Sequence, residues 1–312
     1  MTQEQPQSLH IPETVGASSA RLMRLATYAS VSVAVTLICA KLVAWYATDS
    51  VSIFSTLIDS LLDGGASMVN LLAVRHALEP ADREHRFGHG KAESLAGLAQ
   101  SAFICGSAVF LLIEAGERFV NPRDITNLDI GFLVMAVSIV LTGILVSFQR
   151  YVVMRTGSLA IEADSLHYRM DILVNISVVG SLIIVSQMGW LWVDPVIAVA
   201  IAGYIIFGAW SIAKASLQVL MDHELPDDER LKIRDIALAH PDVDGVHDLR
   251  TRSSGQSIFI QLHLELDGDM TLLRAHDIAD EVEASIMAAY PNAEVITHQD
   301  PEGIDEAIPV FR

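Results

Sequence analysis

Cysteine is scarce in this 312-residue sequence, with only Cys39 and Cys105 present, both inside apolar runs. Two cysteines so placed exclude a disulfide framework and pack as small hydrophobes rather than as metal ligands. Basic residues are also few: 20 Lys and Arg stand against 38 Asp and Glu, for a net charge of −18. That balance argues against nucleic acid as a partner, which calls for a basic surface. The first twenty residues are polar, carry Pro6 and Pro12, and have no basic stretch leading into a short apolar core. No cleaved signal peptide is expected. Charged residues of any sign make up only 19% of the chain, whereas hydrophobic residues make up 52% and the mean hydropathy is +0.42. An ordinary soluble protein is less apolar, so the class is membrane.

The acidity is uneven. From Asp222 onward there are 21 acidic and 7 basic residues, against 17 and 13 before it. Six apolar segments ahead of that point are long enough to span a bilayer, at roughly 24–46, 51–76, 95–119, 128–150, 158–186 and 191–217. One side collects Arg21, Arg24, Arg75, Arg83, Arg86, Lys91, Arg150, Arg155 and Lys214, and the other only Arg118 and Arg123. This asymmetry places both termini and the loop "RHALEPADREHRFGHGK" in the cytoplasm. The chain is accordingly divided into a polar extension (1–20), a six-helix transmembrane domain (21–221), a cytoplasmic domain (222–302) and a tail (303–312).

The cytoplasmic part reads as a small α+β domain. A helix is expected over 227–240, opening on Asp227, Asp228 and Glu229. "GVHDLRTR" and "QSIFIQLHLEL" are strands around the turn "SSGQ". Leu272, Ala275, Ala279, Val282 and Ile286 then fall at helical spacing over 271–289, and "AEVITHQD" closes an αββαβ order.

Within the second apolar segment, "IDSLLD" puts Asp59 and Asp63 one helical turn apart on a single face. Carboxylates inside a span face a bundle interior or wet cavity and mark function by default. The fifth segment repeats the spacing with His167 and Asp171 in "IEADSLHYRMDILVN". Three oxygens and one imidazole nitrogen from two facing helices suit a four-coordinate divalent metal such as zinc. Bound cation, or protons in its place, would offset the mutual repulsion. The competing readings are a structural hydrogen-bond network or a proton relay without metal. Asp164 falls near the cytoplasmic end of the same segment and is read as a solvated entrance charge, not a ligand. Asp82, His85 and His89 form a second cluster in the loop, where a histidine is ordinarily just solvated. His247, His263, His276, His298 and Asp300 form a third, drawn from different elements of one small acidic domain.

Taken in order, "IDSLLD", "PADREHRFGHGKAESLAGLAQS", "ADSLHYRMD", "VHDLRTR" and "THQDP" resemble the cation diffusion facilitator family, in its bacterial branch of zinc and iron efflux transporters. The resemblance covers nearly the whole chain after residue 20. It implies six transmembrane helices, a cytoplasmic ferredoxin-like αββαβ domain and a homodimer. It implies a transport site of Asp59, Asp63, His167 and Asp171, and a loop site of Asp82, His85 and His89. It implies a binuclear site of His247, His263, His276, His298 and Asp300, with Gln299 contributing at its margin. A salt bridge near the dimer interface corresponds to Lys91 and Asp222, here beside the additional His223 and Glu224. Zinc-selective relatives carry histidine where this chain has Asp59.

The expected function is a divalent-cation/proton antiporter, not an enzyme, in the bacterial inner membrane. Zinc would be substrate and regulator, with cadmium and iron as further substrates. Two other classes fit less well. A transferase holding magnesium against a substrate phosphate calls for a basic pocket that Arg169 alone does not make. A sensor or scaffold that binds without transporting is poorly served by ligands inside the membrane.

Overall fold

A computed structural model describes residues 14–49, 51–120, 129–188, 190 and 192–303. The start of the polar extension, Arg123 and the tail from residue 304 lie outside the described residues. The chain divides into two compact units, one of Ala20–Leu220 and one built on Met221–Arg312.

Six helices account for the first unit: α1 (Thr14–Thr48), α2 (Val51–Ala77), α3 (Lys91–Val120), α4 (Asp129–Thr156), α5 (Leu159–Met188) and α6 (Val193–Leu220). Among the described residues, α1, α2, α3, α4 and α6 are long and apolar enough to cross a membrane. α5 matches them at 30 residues but carries Glu162, Asp164, Arg169 and Asp171 in its first half. α1 starts earlier than the apolar run alone indicates, because helix begins within the polar stretch at Thr14.

Many large apolar groups of the unit face outward, while others, Ile104, Ile161 and Ile205 among them, pack inside. Val43, Phe110 and Phe207 are 69%, 67% and 75% exposed, whereas Ser30, Ser67, Asn70, Ser101, Gln149, Ser165 and Ser216 are buried. In lipid nothing is gained by hiding leucine from solvent, so small and hydrogen-bonding residues fill the contacts between helices. Two glycines permit the closest approaches. A Cβ on Gly97 of α3 would come 2.8 Å from the Ser216 hydroxyl of α6 and 3.5 Å from the Leu159 backbone. One on Gly208 of α6 would come 2.9 Å from the Leu166 side chain of α5. α5 is thereby packed among α3, α4 and α6, and contacts α2 as well.

The second unit runs α7 (Asp227–Leu238), β1 (Gly245–Ser254), β2 (Ser257–Leu266), α8 (Leu272–Ala289) and β3 (Ala293–Pro301). The sheet order is β1-β2-β3, with β1 and β2 antiparallel and β2 and β3 parallel. Gly255, at φ +60° in the β1–β2 turn, takes the left-handed conformation that glycine adopts freely. Ile260, Leu262, Leu264 and Leu266 on β2 point into a core shared with Ile233 of α7 and Ile278, Val282 and Ile286 of α8. The opposite face of β2 offers Gln261, His263 and Glu265 to solvent or ligand, as strand alternation requires. Thr271 caps α8 by accepting from the Arg274 amide at 3.3 Å. The Tyr290 hydroxyl, just past α8, donates to Glu229 of α7 at 2.6 Å.

Candidate metal centres

α2 and α5 converge at the first centre. His167 is 1% exposed, and its Nε2 lies 2.9 Å from Asp63 Oδ1 and 4.0 Å from Asp171 Oδ2. One ligand atom from each of these residues falls within 4.8 Å of the others. His167 Nδ1 is buried without a hydrogen-bond partner, an arrangement that costs free energy unless something else satisfies the nitrogen. Asp59, one turn earlier on α2, is exposed and stands outside this three-residue group.

The sequence reading missed one neighbour of the centre and misread another. Lys41 of α1 donates to the Ser60 hydroxyl at 2.6 Å and the Thr56 carbonyl at 3.1 Å. Its ammonium is within electrostatic reach of Asp63, Asp171 and Asp59. A lone lysine deep in an apolar segment was the available signal, since intramembrane charge is costly. Asp164 requires a correction. It is not a solvated entrance charge but 1% exposed. Its carboxyl accepts from Ser30 of α1, from Ser67 of α2 at 3.4 Å and from Gln149 of α4 at 2.7 Å. Position near the end of an apolar run hid this, because solvation there depends on what the other helices cover.

In the α2–α3 loop, Asp82 Oδ1 accepts from the backbone amides of His85 at 2.6 Å and Glu84 at 2.8 Å. Those two donors, the His85 amide first, hold its carboxyl below the usual range. Asp82 Oδ2 lies 3.3 Å from Nε2 of His89, and His85 Nδ1 lies 3.3 Å from Oδ1. Asp82, His85 and His89 thus come together as one candidate ligand group.

The third centre follows from sheet register. His247 pairs with His263 across β1 and β2, and His263 pairs with His298 across β2 and β3. Three imidazoles therefore stand in one row. Asp300, two residues beyond His298 on the same face, is 5% exposed and collects all of them. Its Oδ2 lies 2.7 Å from His263 Nδ1 and 3.3 Å from His247 Nε2, and its Oδ1 lies 3.1 Å from His298 Nε2. The bulge after His247 gives β1 one residue more than β2, and Asp248 there has φ +44°. This turns Asp248 Oδ2 to 3.8 Å from His263. Glu265 holds His247 Nδ1 at 2.9 Å. His276 is elsewhere, on the exposed face of α8, 3.7 Å from Asp280. Lys91 Nζ donates to the Leu220 carbonyl at 3.4 Å in the first unit, and Asp222 lies 3.6 Å from Arg252 in the second.

Side chains able to hold a metal ion, set between apolar helices, are what a membrane protein that handles cations would carry. Similarity to known proteins makes the class specific. Residues 27–221 match the cation efflux transmembrane domain, and residues 225–302 match the cation efflux protein cytoplasmic domain. The cation-efflux pump FieF of Shewanella oneidensis is 48% identical over 283 residues, covering 91% of this chain and 95% of that protein. FieF of Escherichia fergusonii is 47% identical over 284 residues, covering 91% and 94%. A solved structure of CzrB is 34% identical and covers 25% of this chain and 99% of the CzrB chain, with a TM-score of 0.25. The chain belongs to the cation efflux family, the cation diffusion facilitators that its motifs resemble.

Proposed function

We propose that this protein exports divalent metal cations from the cytoplasm in exchange for protons, by alternating access, as a homodimer in the bacterial inner membrane. The observation that carries the reading is the convergence of Asp63, His167 and Asp171 from α2 and α5. Zinc is the substrate best matched by oxygen and imidazole ligands, with cadmium and iron as further substrates. Asp59 completes the ligand set from the preceding turn of α2.

Coupling follows from the ligands themselves. A carboxylate or imidazole coordinates metal only after losing its proton, so the two cargoes compete for one set of atoms. Inward-moving protons would displace metal at the outer face and leave with the ligands' return. His167 is the natural proton carrier among them, because an unperturbed imidazole titrates near neutrality. The transport domain is taken as 21–221 and the cytoplasmic domain as 222–302. In the latter, the row of His247, His263 and His298 around Asp300 would bind regulatory zinc. Asp300 turns one oxygen toward His298 and the other toward His263, so it would hold zinc together with either histidine.

Counterflow in sealed proteoliposomes containing only this protein tests the reading. A proton gradient should drive zinc uptake into vesicles, and a zinc gradient should move protons the other way. Zinc flux indifferent to a proton gradient would overturn antiport.

A further inference from the structure

α2 does not end in plain solvent. Its last turn carries His76, and Glu79 follows after the helix; His76 Nδ1 lies 2.8 Å from Glu79 Oε2. The His76 ring centroid is 4.5 Å from that of His89. One ligand atom each from His76, Glu79 and His89 falls within 4.8 Å of the others, the same closeness as in the Asp82, His85 and His89 group. His89 belongs to both.

The His89 side chain is 5% exposed, and its Nδ1 is buried without a hydrogen-bond partner. Its Nε2 is the nitrogen that faces Asp82, at 3.3 Å. A neutral imidazole has one N–H and one lone pair, so one nitrogen donates while the other accepts or ligates. With the proton on Nε2, the bond to Asp82 is kept and the Nδ1 lone pair is free for a cation. With the proton on Nδ1, the lone pair on Nε2 is free for a cation that Asp82 and His85 also ligate.

We propose that His76, Glu79 and His89 form a second divalent-cation position at the end of α2, mutually exclusive with the Asp82–His85–His89 position because both draw on the one lone pair of His89. Two imidazoles and a carboxylate are a set that zinc takes in sites with an open fourth position. His76 and Glu79 are 53% and 54% exposed, so an ion can enter directly from water. The loop would then hold one cation that moves between two positions by a change of His89 tautomer.

The proposal rests on the reading of this chain as a zinc-handling protein only for the choice of ion. Counterflow tests transport, whereas equilibrium binding tests this loop, so the two can fail separately. Full-length protein in detergent would carry Asp63→Ala, Asp171→Ala, His263→Ala and Asp300→Ala to silence the other centres. Zinc binding by equilibrium dialysis should give one ion per chain. Adding Asp82→Asn and His85→Ala should retain that ion, with affinity lowered by about tenfold. A further His76→Ala should weaken it by about another hundredfold. The near-isosteric Glu79→Gln should do so too, with the thermal transition and elution volume checked for every variant. Three results would overturn the proposal: loss of binding once Asp82 and His85 are gone, indifference to both His76→Ala and Glu79→Gln, or two zinc ions per chain in the silenced background.

Discussion

His263 Nδ1 lies 2.7 Å from Asp300 Oδ2, the shortest of three approaches that Asp300 makes to imidazoles on the same sheet face. The carboxylate is therefore the partner that the three imidazoles share, although His247 is also held by Glu265 through its Nδ1. Asp300→Ala should lower zinc affinity of the cytoplasmic domain by roughly two orders of magnitude, more than His247→Ala or His298→Ala alone. Zinc titration of the full-length protein with Asp63→Ala in the background reads this directly. An equal loss for all three variants would mean that Asp300 is one ligand among several.

Removal of Asp63 attacks the transport centre. His167 would lose the partner at 2.9 Å and the ion one of its charged ligands. Zinc flux into proteoliposomes by Asp63→Ala should fall at least a hundredfold, with the dimer still eluting at its normal volume. Wild-type flux from Asp63→Ala would remove this centre from the mechanism.

Much of this architecture is legible from spacing alone. The pairs Asp59–Asp63 and His167–Asp171 have the helical repeat, and the structure lays them on α2 and α5. The strand alternation of β2 correctly separates core leucines from His263 and Glu265. Register is another matter. Nothing local in the sequence says that His247, His263 and His298 share a row, because that depends on which strands pair and where β1 bulges. The same holds for Asp164, whose burial is set by Ser30, Ser67 and Gln149 arriving on three other helices. Nor does spacing say that His76 and Glu79 stand close to His89, because that depends on how the loop folds.

Asp164 should matter for stability more than for metal stoichiometry. Asp164→Ala strips the acceptor from Ser30, Ser67 and Gln149 and leaves buried donors unsatisfied, at a cost of about 2–4 kcal/mol. The thermal transition in detergent should drop by several degrees, while zinc bound per chain stays constant. If the transition is unmoved, the network is solvated in the working protein.

Tyr290 supplies a pH test of the cytoplasmic domain. Burial, with the Glu229 carboxylate beside it, pushes the hydroxyl up to about 12. A group whose folded value is raised above the ordinary ~10 stabilises fully below pH ~10, and that stability is lost as pH climbs through about 12. Glu229 is held low by Lys232 and then by Tyr290, so its share is present above the ordinary glutamate range and lost on acidification through its depressed value. Thermal stability of the domain should fall on going from pH ~9 to pH ~12, and Tyr290→Phe should remove that slope. An unchanged alkaline slope in Tyr290→Phe would assign it to other groups.

Metal choice is predicted to turn on Asp59. Asp63, His167 and Asp171 already lie within 4.8 Å of one another, whereas Asp59 stands one turn away and exposed. As the proposed fourth ligand it would have to swing in to enclose an ion, and would then be the one free to settle at different distances. Oxygen ligands tolerate a spread of ion sizes through their denticity, and a set of three carboxylates and one imidazole should carry cadmium as well as zinc. Asp59→His leaves two imidazoles and two carboxylates, still suited to tetrahedral zinc. It removes one negative charge and the most adjustable oxygen pair from the larger ion's shell. Cadmium flux in proteoliposomes should therefore fall at least tenfold further than zinc flux. If the two decline in equal proportion, Asp59 contributes charge alone, and selectivity must be set by the spacing of Asp63, His167 and Asp171.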